Sequence, residues 1–391
     1  MKFSKRVSQW PADANPITEA LERLRKAGRA VIDLTQSNPT KCSFNYLTPG
    51  ILAPLRNGKN LRYEPDPHGL LEGRKAICRY YADKGIPLEP EQIFITSGTS
   101  EAYSFLFRLL LDINDKILIP QPSYPLFDYL AGLNDAAVGN YSLVYENGWR
   151  IDMENFERQI QKGAKALIVL NPNNPTGNFI SQKERERIND LCGARDLPVI
   201  SDEVFLDFIL DKKGVDPKSF AGNNKVLAFT LSGISKILGL PQMKLSWIVV
   251  NGPENLRREA ISRLEIIADT YLSANTPSQR ALAAWFKGQR RIHGEMRARF
   301  LENRDYLTEK TSKVKNIEIL KCEGGWYSIL KIRSQFSDEE TVLRLLKEQG
   351  VLVYPGYFFD FEGEDYLVLS HLLPPERFRA GIDRLLNLIN Y

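Results

Sequence analysis

Long apolar runs are missing from this 391-residue sequence. None approaches the roughly 18 residues that a membrane-spanning helix needs. The N-terminal stretch MKFSKRVSQWPADANP is too polar for a secretory signal peptide. We therefore expect no membrane partner and a cytoplasmic location.

Cysteine and histidine are scarce, with 4 and 3 residues. The cysteines form no CxxC pair, which is typical of reduced, buried thiols; they are Cys42, Cys78, Cys192 and Cys322. The histidines lie far apart and lack the spacing of metal ligands. We expect neither a disulfide framework nor a metal site.

An excess of one charge sign is also missing, because 52 Lys and Arg residues face 48 Asp and Glu residues. The resulting net charge of +4 is small for this length, and no basic block is interleaved with aromatic residues. These features exclude a nucleic-acid partner as the leading interpretation.

Short apolar strands alternate with helices from about residue 92 to residue 250, which predicts a mainly parallel α/β sheet. After residue 316 the pattern changes to α+β. The chain is too long for one simple core. We predict an N-terminal arm (1–50) packed on a small α+β domain (289–391), with a large domain (51–288) between them in sequence.

Polar or turn-forming residues follow the predicted strands of the large domain. These residues are Gly98, Thr99, Ser100, Pro122, Ser123, Tyr124, the run NPNNPTG at 171–177, Asp202 and Lys236. Parallel α/β sheets bind ligands at the carboxyl ends of their strands. A turn of small residues at a helix start can also bind an anion. We therefore expect one site at this edge of the sheet.

Lys236 is predicted to lie in one turn of helix between two apolar strands, near 226–229 and 245–250. Desolvation there disfavours the charged amine, and a neutral amine can form a Schiff base with an aldehyde. A lysine after a strand is more often a solvated loop residue. The interpretation of Lys236 therefore depends on the motifs around it.

Six motifs stand in a characteristic order along the chain. They are YxPxxxG from Tyr63, SGTSEA at 97–102, PSYP at 122–125, NPNNPTG at 171–177, SDEVF at 201–205 and SK at 235–236. Together they resemble the class I/II aminotransferases, which are pyridoxal-phosphate enzymes of the aspartate aminotransferase fold, fold type I. The resemblance covers nearly the whole chain and implies a seven-stranded, mainly parallel sheet flanked by helices.

The resemblance implies pyridoxal 5'-phosphate as the cofactor. Lys236 would hold it as an internal aldimine and move a proton between substrate and cofactor. Asp202 would pair with the pyridinium nitrogen, Asn174 would donate to the ring hydroxyl oxygen, and Tyr124 would stack on the ring.

The phosphate site and the quaternary structure also follow from the resemblance. Gly98, Thr99 and Ser100 would bind the cofactor phosphate. Tyr63 would reach the phosphate of the neighbouring subunit, because the site in this family lies at the two-fold interface of a homodimer.

Three cofactor-site positions depart from the family pattern. Phe205 replaces a tyrosine that donates to the ring oxygen. Gly233 replaces a phosphate-binding serine, and Ser232 and Thr230 are the candidates to replace it as the hydroxyl donor. Lys244 replaces an arginine and keeps the positive charge without the bidentate fork.

Val368 stands where the family has the arginine that binds the substrate α-carboxylate. Either another cation binds that carboxylate, with Lys41, Arg62 and His371 as candidates, or the substrate lacks it. Ser37 and Asn38 are predicted to lie across the mouth of the site and to contact the substrate together with Asn174 and Val368.

The predicted function is a pyridoxal-phosphate-dependent aminotransferase that acts on an amino acid, with a hydrophobic or aromatic side chain as one option, and a 2-oxo acid. Aromatic residues near 324–327 and 354–359 either line the site or pack in the core. Alternatives are a lyase or decarboxylase, an amine transaminase, and a non-catalytic binding module on the same fold.

Overall fold

The computed structural model describes residues 3–8, 10, 13–46, 48–210, 217–363 and 365–389. The strands are β1 Ile32–Asp33, β2 Ile93–Thr96, β3 Lys116–Gln121, β4 Ala137–Tyr145, β5 Trp149–Ile151, β6 Ala164–Leu170, β7 Val199–Asp202, β8 Ala228–Gly233, β9 Ser246–Asn251, β10 Ile317–Leu320, β11 Tyr327–Ile332, β12 Val351–Leu352, β13 Tyr354–Pro355 and β14 Tyr366–Ser370.

The described residues also form α-helices. They are α1 Lys5–Ser8, α2 Pro16–Lys26, α3 Thr48–Leu52, α4 Leu71–Ala82, α5 Thr99–Leu110, α6 Phe127–Leu133, α7 Met153–Gln161, α8 Gln182–Gly193, α9 Ile234–Ile237, α10 Glu254–Tyr271, α11 Thr276–Lys287, α12 Gln289–Thr311, α13 Asp338–Arg344 and α14 Pro375–Ile389. A π-helical turn, Leu345–Gln349, extends α13, and short 3₁₀ turns include Pro39–Lys41, Gly58–Leu61 and Pro241–Met243.

The main sheet has the strand order β2-β9-β8-β7-β6-β3-β4-β5. Strands β8, β7, β6, β3 and β4 are parallel, whereas β9 runs antiparallel between β2 and β8. Strand β2 therefore has the same direction as β8. The carboxyl ends of β2, β3, β6, β7 and β8 meet at one edge, together with the amino end of β9.

The predicted mainly parallel sheet is confirmed, with one addition. Within the described residues the main sheet has eight strands rather than seven, because β5 adds an antiparallel edge strand beside β4. The segment from Thr230 to Gly233, which lies beyond the strand expected near 226–229, forms the last four residues of β8. It pairs with β7 and β9 on either side, so its backbone is satisfied within the sheet although its side chains are small and polar.

Helices cover the two faces of the main sheet. On one face, Phe94, Phe229, Leu231 and Ile248 pack with residues of α5 in a buried apolar cluster. On the other face, Ile93, Ile95, Trp247 and Val249 pack with Tyr80 and Tyr81 of α4. Side chains alternate between the two faces along a strand. A strand residue two positions from Phe94, Phe229, Leu231 or Ile248 therefore lies on the face that α5 covers.

A second, antiparallel sheet has the order β10-β11-β14-β13 and packs with α2, α13 and α14. The N-terminal segment joins this part of the molecule, because β1 pairs with β12 in parallel. The division at residues 50 and 288 stays a prediction, although these contacts agree with an arm that packs on the C-terminal region.

The loop after β6 is tied to the segment before β11. The backbone carbonyl of Gly177 accepts hydrogen bonds from the N–H groups of Glu323 and Gly324, at 3.2 and 2.8 Å. Gly177 has φ +74°, and a Cβ there would lie 2.6 Å from the Gly324 carbonyl oxygen. Only glycine fits this close backbone approach.

Among the described residues, no helix is both long and apolar enough to cross a membrane. The same residues contain no cluster of three metal-ligating side chains. All four cysteines are described and unpaired; Cys78 is half-buried and the others are buried.

We predict that Gly177→Ala lowers the free energy of unfolding by about 2–4 kcal/mol, because the methyl group meets backbone and the φ is left-handed. Gly28→Ala is the matched control. Gly28 also has a positive φ, +70°, but nothing lies within 4 Å of its Cβ position, so we expect a loss of about 1 kcal/mol. Urea unfolding measures both. Equal losses would contradict the close contact at Gly177.

Candidate active site

Asp202 is the last residue of β7 and faces α5. Its Oδ2 accepts a hydrogen bond from the Tyr103 hydroxyl (2.9 Å), and its Oδ1 accepts one from the Val204 N–H (3.1 Å). Burial raises the pKa of Asp202, and the two hydrogen bonds and Lys236 partly offset this rise. The carboxylate is therefore held in a fixed orientation in a site that disfavours an unpaired negative charge.

Lys236 lies in the single turn of α9, directly after β8, as predicted. Its Nζ is 4.7 Å from the centre of the Trp326 ring and 5.4 Å from the centre of the Phe205 ring. Burial lowers the pKa of Lys236 to about 8, and Asp202 opposes this effect. A larger fraction of the amine is consequently neutral near pH 7 than for a solvated lysine.

The loop at 171–177 is held from both sides. Asn173 Nδ2 donates to the Pro122 carbonyl at 3.0 Å and to Thr176 Oγ1 at 2.7 Å. The Asn171 N–H donates to the Asp202 carbonyl at 2.9 Å. In the described part of the chain, the buried Asn174 Oδ1 has no hydrogen-bond partner. The Asn174 amide is thus presented in a rigid loop with hydrogen-bonding capacity to spare.

The turn between β2 and α5 carries Gly98, Thr99 and Ser100. The first amides of a helix have no intrahelical partner, and the helix dipole makes this end positive. Lys244 adds a cation, since its Nζ is 3.8 Å from the Cβ position of Gly98. The predicted phosphate residues are therefore brought together.

Ser232 does not lie on the side of the sheet where this turn begins α5. Phe229 and Leu231 of β8 lie on the face covered by α5, so alternation directs Thr230 and Ser232 to the opposite face. Their hydroxyls are buried and have no partner among the described residues. The prediction that either one replaces the missing hydroxyl of Gly233 is not supported by this orientation.

Aromatic side chains form the rest of the site. The Phe205 and Trp326 rings are 4.8 Å apart at 79°. Trp326 is fully buried yet covers the Lys236 amine, so it both lines the site and belongs to the core. Tyr124 follows β3 and remains partly exposed, and the Ser123 N–H ties its loop to the Phe359 carbonyl at 2.9 Å.

The N-terminal segment carries Ser37 and Asn38, and their predicted contact with the substrate stays a prediction. Asn38 uses its side-chain oxygen to cap a 3₁₀ turn, accepting from the Thr40 N–H (3.1 Å) and hydroxyl (2.7 Å). Ser37 is half-buried and interacts with Tyr327, where its hydrogen bond partly offsets the rise in the Tyr327 pKa caused by burial. Ser37 therefore lies beside Tyr327, whereas the Asn38 side-chain oxygen is used within its own turn by Thr40.

The candidates for carboxylate binding do not form a cationic pocket. Val368 is 0% exposed and packs in the same apolar cluster as Trp326 and Tyr327. His371 is buried against the Ser328 hydroxyl at 2.7 Å, and burial lowers its pKa to about 3. His371 is therefore neutral near pH 7, which excludes it as the cation; Lys41 and Arg62 are exposed.

Sequence patterns missed Tyr103, which holds Asp202. It lies one helical turn after Thr99, so its hydroxyl reaches the carboxyl end of β7 from the start of α5. In the sequence it stands beside Phe105 and Leu106, and its position there is typical of an ordinary core residue.

The chain was compared with families and known proteins. The family model for aminotransferase class I and II matches residues 30–384. The glutamate-pyruvate aminotransferase AlaA of Haemophilus influenzae is 27% identical over 382 residues, covering 96% of this chain and 94% of the relative. The alanine aminotransferase of Mycobacterium tuberculosis is 28% identical over 394 residues, covering 96% and 90%. A solved alanine aminotransferase from Pyrococcus furiosus has a TM-score of 0.91 and 29% identity, covering 100% of both chains.

The chain belongs to the aminotransferase class I and II family. Its fold is fold type I, as the sequence motifs predicted. The chain is a transaminase, and the comparisons do not favour the lyase, amine-transaminase or non-catalytic alternatives.

We predict that the Lys236 amine reacts with aldehydes with a midpoint near pH 8, because only the neutral amine attacks and burial lowers its pKa to about 8. Asp202→Asn moves the midpoint lower still, since Asp202 raises this pKa. Reductive alkylation across a pH series, read by peptide mass spectrometry, measures the midpoint. The exposed Lys26 serves as the internal comparison; a Lys236 profile that coincides with that of Lys26 would overturn the assignment.

Proposed function

We propose that this protein transfers an amino group from an α-amino acid to a 2-oxo acid with pyridoxal 5'-phosphate as its cofactor. The observation that carries the proposal is the half-buried Lys236 amine. It lies between Trp326 and Phe205, with a lowered pKa and with Asp202 as its charged neighbour. A neutral, sheltered amine next to an oriented carboxylate is suited to an aldehyde cofactor with a basic ring nitrogen.

The residues present fit this cofactor. The buried Asn174 Oδ1 has no partner in the described chain. A flip of the amide exchanges its oxygen and nitrogen, so the same place can present the Nδ2 donor to a ligand. Lys236 would hold the cofactor aldehyde and Asp202 its ring nitrogen, while the turn from Gly98 and Lys244 would hold its phosphate. When bound, the cofactor supplies the electron sink that stabilises negative charge on the substrate α-carbon.

The protein side chains supply the proton transfers and the environment. Lys236 Nζ would accept the proton from the substrate α-carbon and return it, which its lowered pKa favours near neutral pH. Trp326 and Phe205 exclude water from this amine. Tyr103 keeps the Asp202 carboxylate oriented. Phe205 supplies no hydroxyl, so the ring oxygen would depend on Asn174 for its donor.

The substrate subsite is apolar on the side of Lys236. Asp202 raises the pKa of Lys236 against the effect of burial, and Val368 lies buried in apolar packing where the family arginine is expected. We propose that neutral donors, Asn174 and Ser37, bind the substrate carboxylate. The rings of Trp326 and Phe205 beside the Lys236 amine favour a small or apolar substrate side chain over aspartate, which agrees with the alanine named in several relatives.

We further propose that the active molecule is a homodimer that shares its two sites. Leu61 and Tyr63 are 92% and 72% exposed, and Ile266 and Leu272 are also exposed. The segments that carry these two pairs of residues are neighbours. Ser273 Oγ accepts a hydrogen bond from the Asp66 N–H and donates one to the Asp66 carbonyl. A patch of this kind is typical of a subunit interface, and it includes the tyrosine expected to reach the phosphate of the neighbouring subunit.

The transaminase prediction is tested by spectral titration of the protein loaded with pyridoxal phosphate. We expect alanine to abolish the visible absorption band of the bound cofactor, and pyruvate to restore it. Lys236→Ala should lack the band, because Lys236 is the lysine that lies against Trp326 and Phe205 with Asp202 as its charged neighbour. A protein whose band does not respond to any amino acid would contradict the proposal, and a persistent band in Lys236→Ala would identify the wrong lysine.

The dimer prediction is tested by light scattering, which should give twice the chain mass of 44.6 kDa. Leu61→Asp places a charge in the proposed interface and should shift the mass toward the monomer. Ile113→Asp is the matched control, because Ile113 is 75% exposed but lies just before the amino end of β3, at the opposite end of the strands from the site. Dissociation by both variants, or by neither, would argue against this interface.

A further inference from the structure

The neighbourhood of Gly233 contains a hydroxyl group that the sequence motifs did not reveal. Gly233 has φ −179°, an extended conformation open to any residue. Its glycine is instead required by space: a Cβ at Gly233 would lie 2.2 Å from Ser246 Oγ and 2.9 Å from Ser246 Cβ. The hydroxyl of Ser246 therefore occupies the place that a side chain at position 233 would take.

Strand pairing explains why the Ser246 hydroxyl occupies this place. Ser246 is the first residue of β9 and pairs with Gly233 of β8 on one side and with Thr96 of β2 on the other. Trp247 packs on the α4 face and Ile248 on the α5 face. Alternation along β9 therefore places Ser246 on the α5 face, beneath the turn that begins α5.

Three anion-binding features meet at this point. The turn of Gly98 and Thr99 is separated from Thr96 by Ser97 alone and forms the N-terminus of α5. The Lys244 ammonium group lies 3.8 Å from the Cβ position of Gly98. Ser246 is two residues beyond Lys244 and only 2% exposed, and none of the hydrogen bonds among the described residues involves its hydroxyl. A hydroxyl that makes no hydrogen bond within the described chain, on a residue that is almost fully buried, is suited to an incoming oxyanion at this place.

We propose that Ser246 supplies the hydroxyl donor to the cofactor phosphate, in place of the family serine that is missing at Gly233. The hydroxyl has moved across the β8–β9 pair from one strand to its neighbour, and the two positions are mutually exclusive because a serine at both would collide. Ser232, the alternative donor, lies on the opposite face of the sheet. This inference rests on the proposed cofactor and assigns one group of its site.

The test compares two ligands that differ only in the phosphate. Apoprotein is titrated with pyridoxal phosphate and with pyridoxal, and the dissociation constants are read from the absorption change. In Ser246→Ala we expect the constant for pyridoxal phosphate to rise about ten- to a hundredfold, the effect of losing one hydrogen bond to a charged group. The constant for pyridoxal should stay within about twofold of the wild-type value.

Two further variants complete the design. Ser232→Ala removes a hydroxyl of equal size from the opposite face and should leave the ratio of the two constants unchanged. The exchange Gly233→Ser with Ser246→Gly returns the hydroxyl to the other strand without the collision and should recover most of the lost affinity for pyridoxal phosphate.

Several results would overturn the assignment. These are wild-type affinity in Ser246→Ala, equal weakening of both ligands, or a phosphate-specific loss in Ser232→Ala instead. A wild-type protein that binds neither ligand would overturn the proposed cofactor itself, and this inference with it. Circular dichroism establishes that each variant is folded, so a loss of affinity is not confused with a loss of structure.

Discussion

The common direction of five strands is the constraint on which the site depends. Because β2, β3, β6, β7 and β8 run the same way, the segments that follow them converge at one edge of the sheet although they are scattered over 140 residues from 97 to 236. Each segment contributes one kind of group: helix amides, an aromatic ring, an amide side chain, a carboxylate and an amine. None of these groups is a site alone.

Two opposed electrostatic effects set the pKa values of Lys236 and Asp202. Desolvation disfavours both charges, lowering the pKa of the lysine and raising that of the aspartate, while each charge favours the other. The Tyr103 and Val204 donors favour the ionised carboxylate without supplying a positive charge. Asp202 therefore stays available to a cation that is not Lys236, and the amine is not committed to a salt bridge.

Local patterns were sufficient to locate much of the fold and the main site residues. Strands such as β2 and β14 and the turn at Lys236 are marked by apolar runs and by small residues at their ends, and these signals act over a few residues. Long-range register is different. Whether Ser232 or Ser246 faces α5 depends on where β8 ends and how β9 pairs with it, and neither is encoded within a short window.

The same limit explains Trp326 and Tyr103. Trp326 reaches Lys236 because the segment before β11 packs against the loop after β6, about 150 residues away in sequence. Tyr103 reaches Asp202 across the space between a helix and a strand. In the sequence both residues have apolar neighbours, so the local pattern predicts core packing for each. The pattern does not predict their second role, which is to contact Lys236 and Asp202.

The hydrogen bonds from Glu323 and Gly324 to Gly177 also determine what holds the cover of the lysine amine in place. They attach the backbone just before Trp326 to the rigid loop that carries Asn174. The Trp326 indole directly precedes a strand of the C-terminal sheet, but these hydrogen bonds hold it next to the loop of the main sheet that carries Asn174. The apolar cover of the lysine amine therefore depends on the loop that carries Asn174 as much as on the C-terminal sheet, so a change in that loop would alter the water access of the amine as well as the position of the amide.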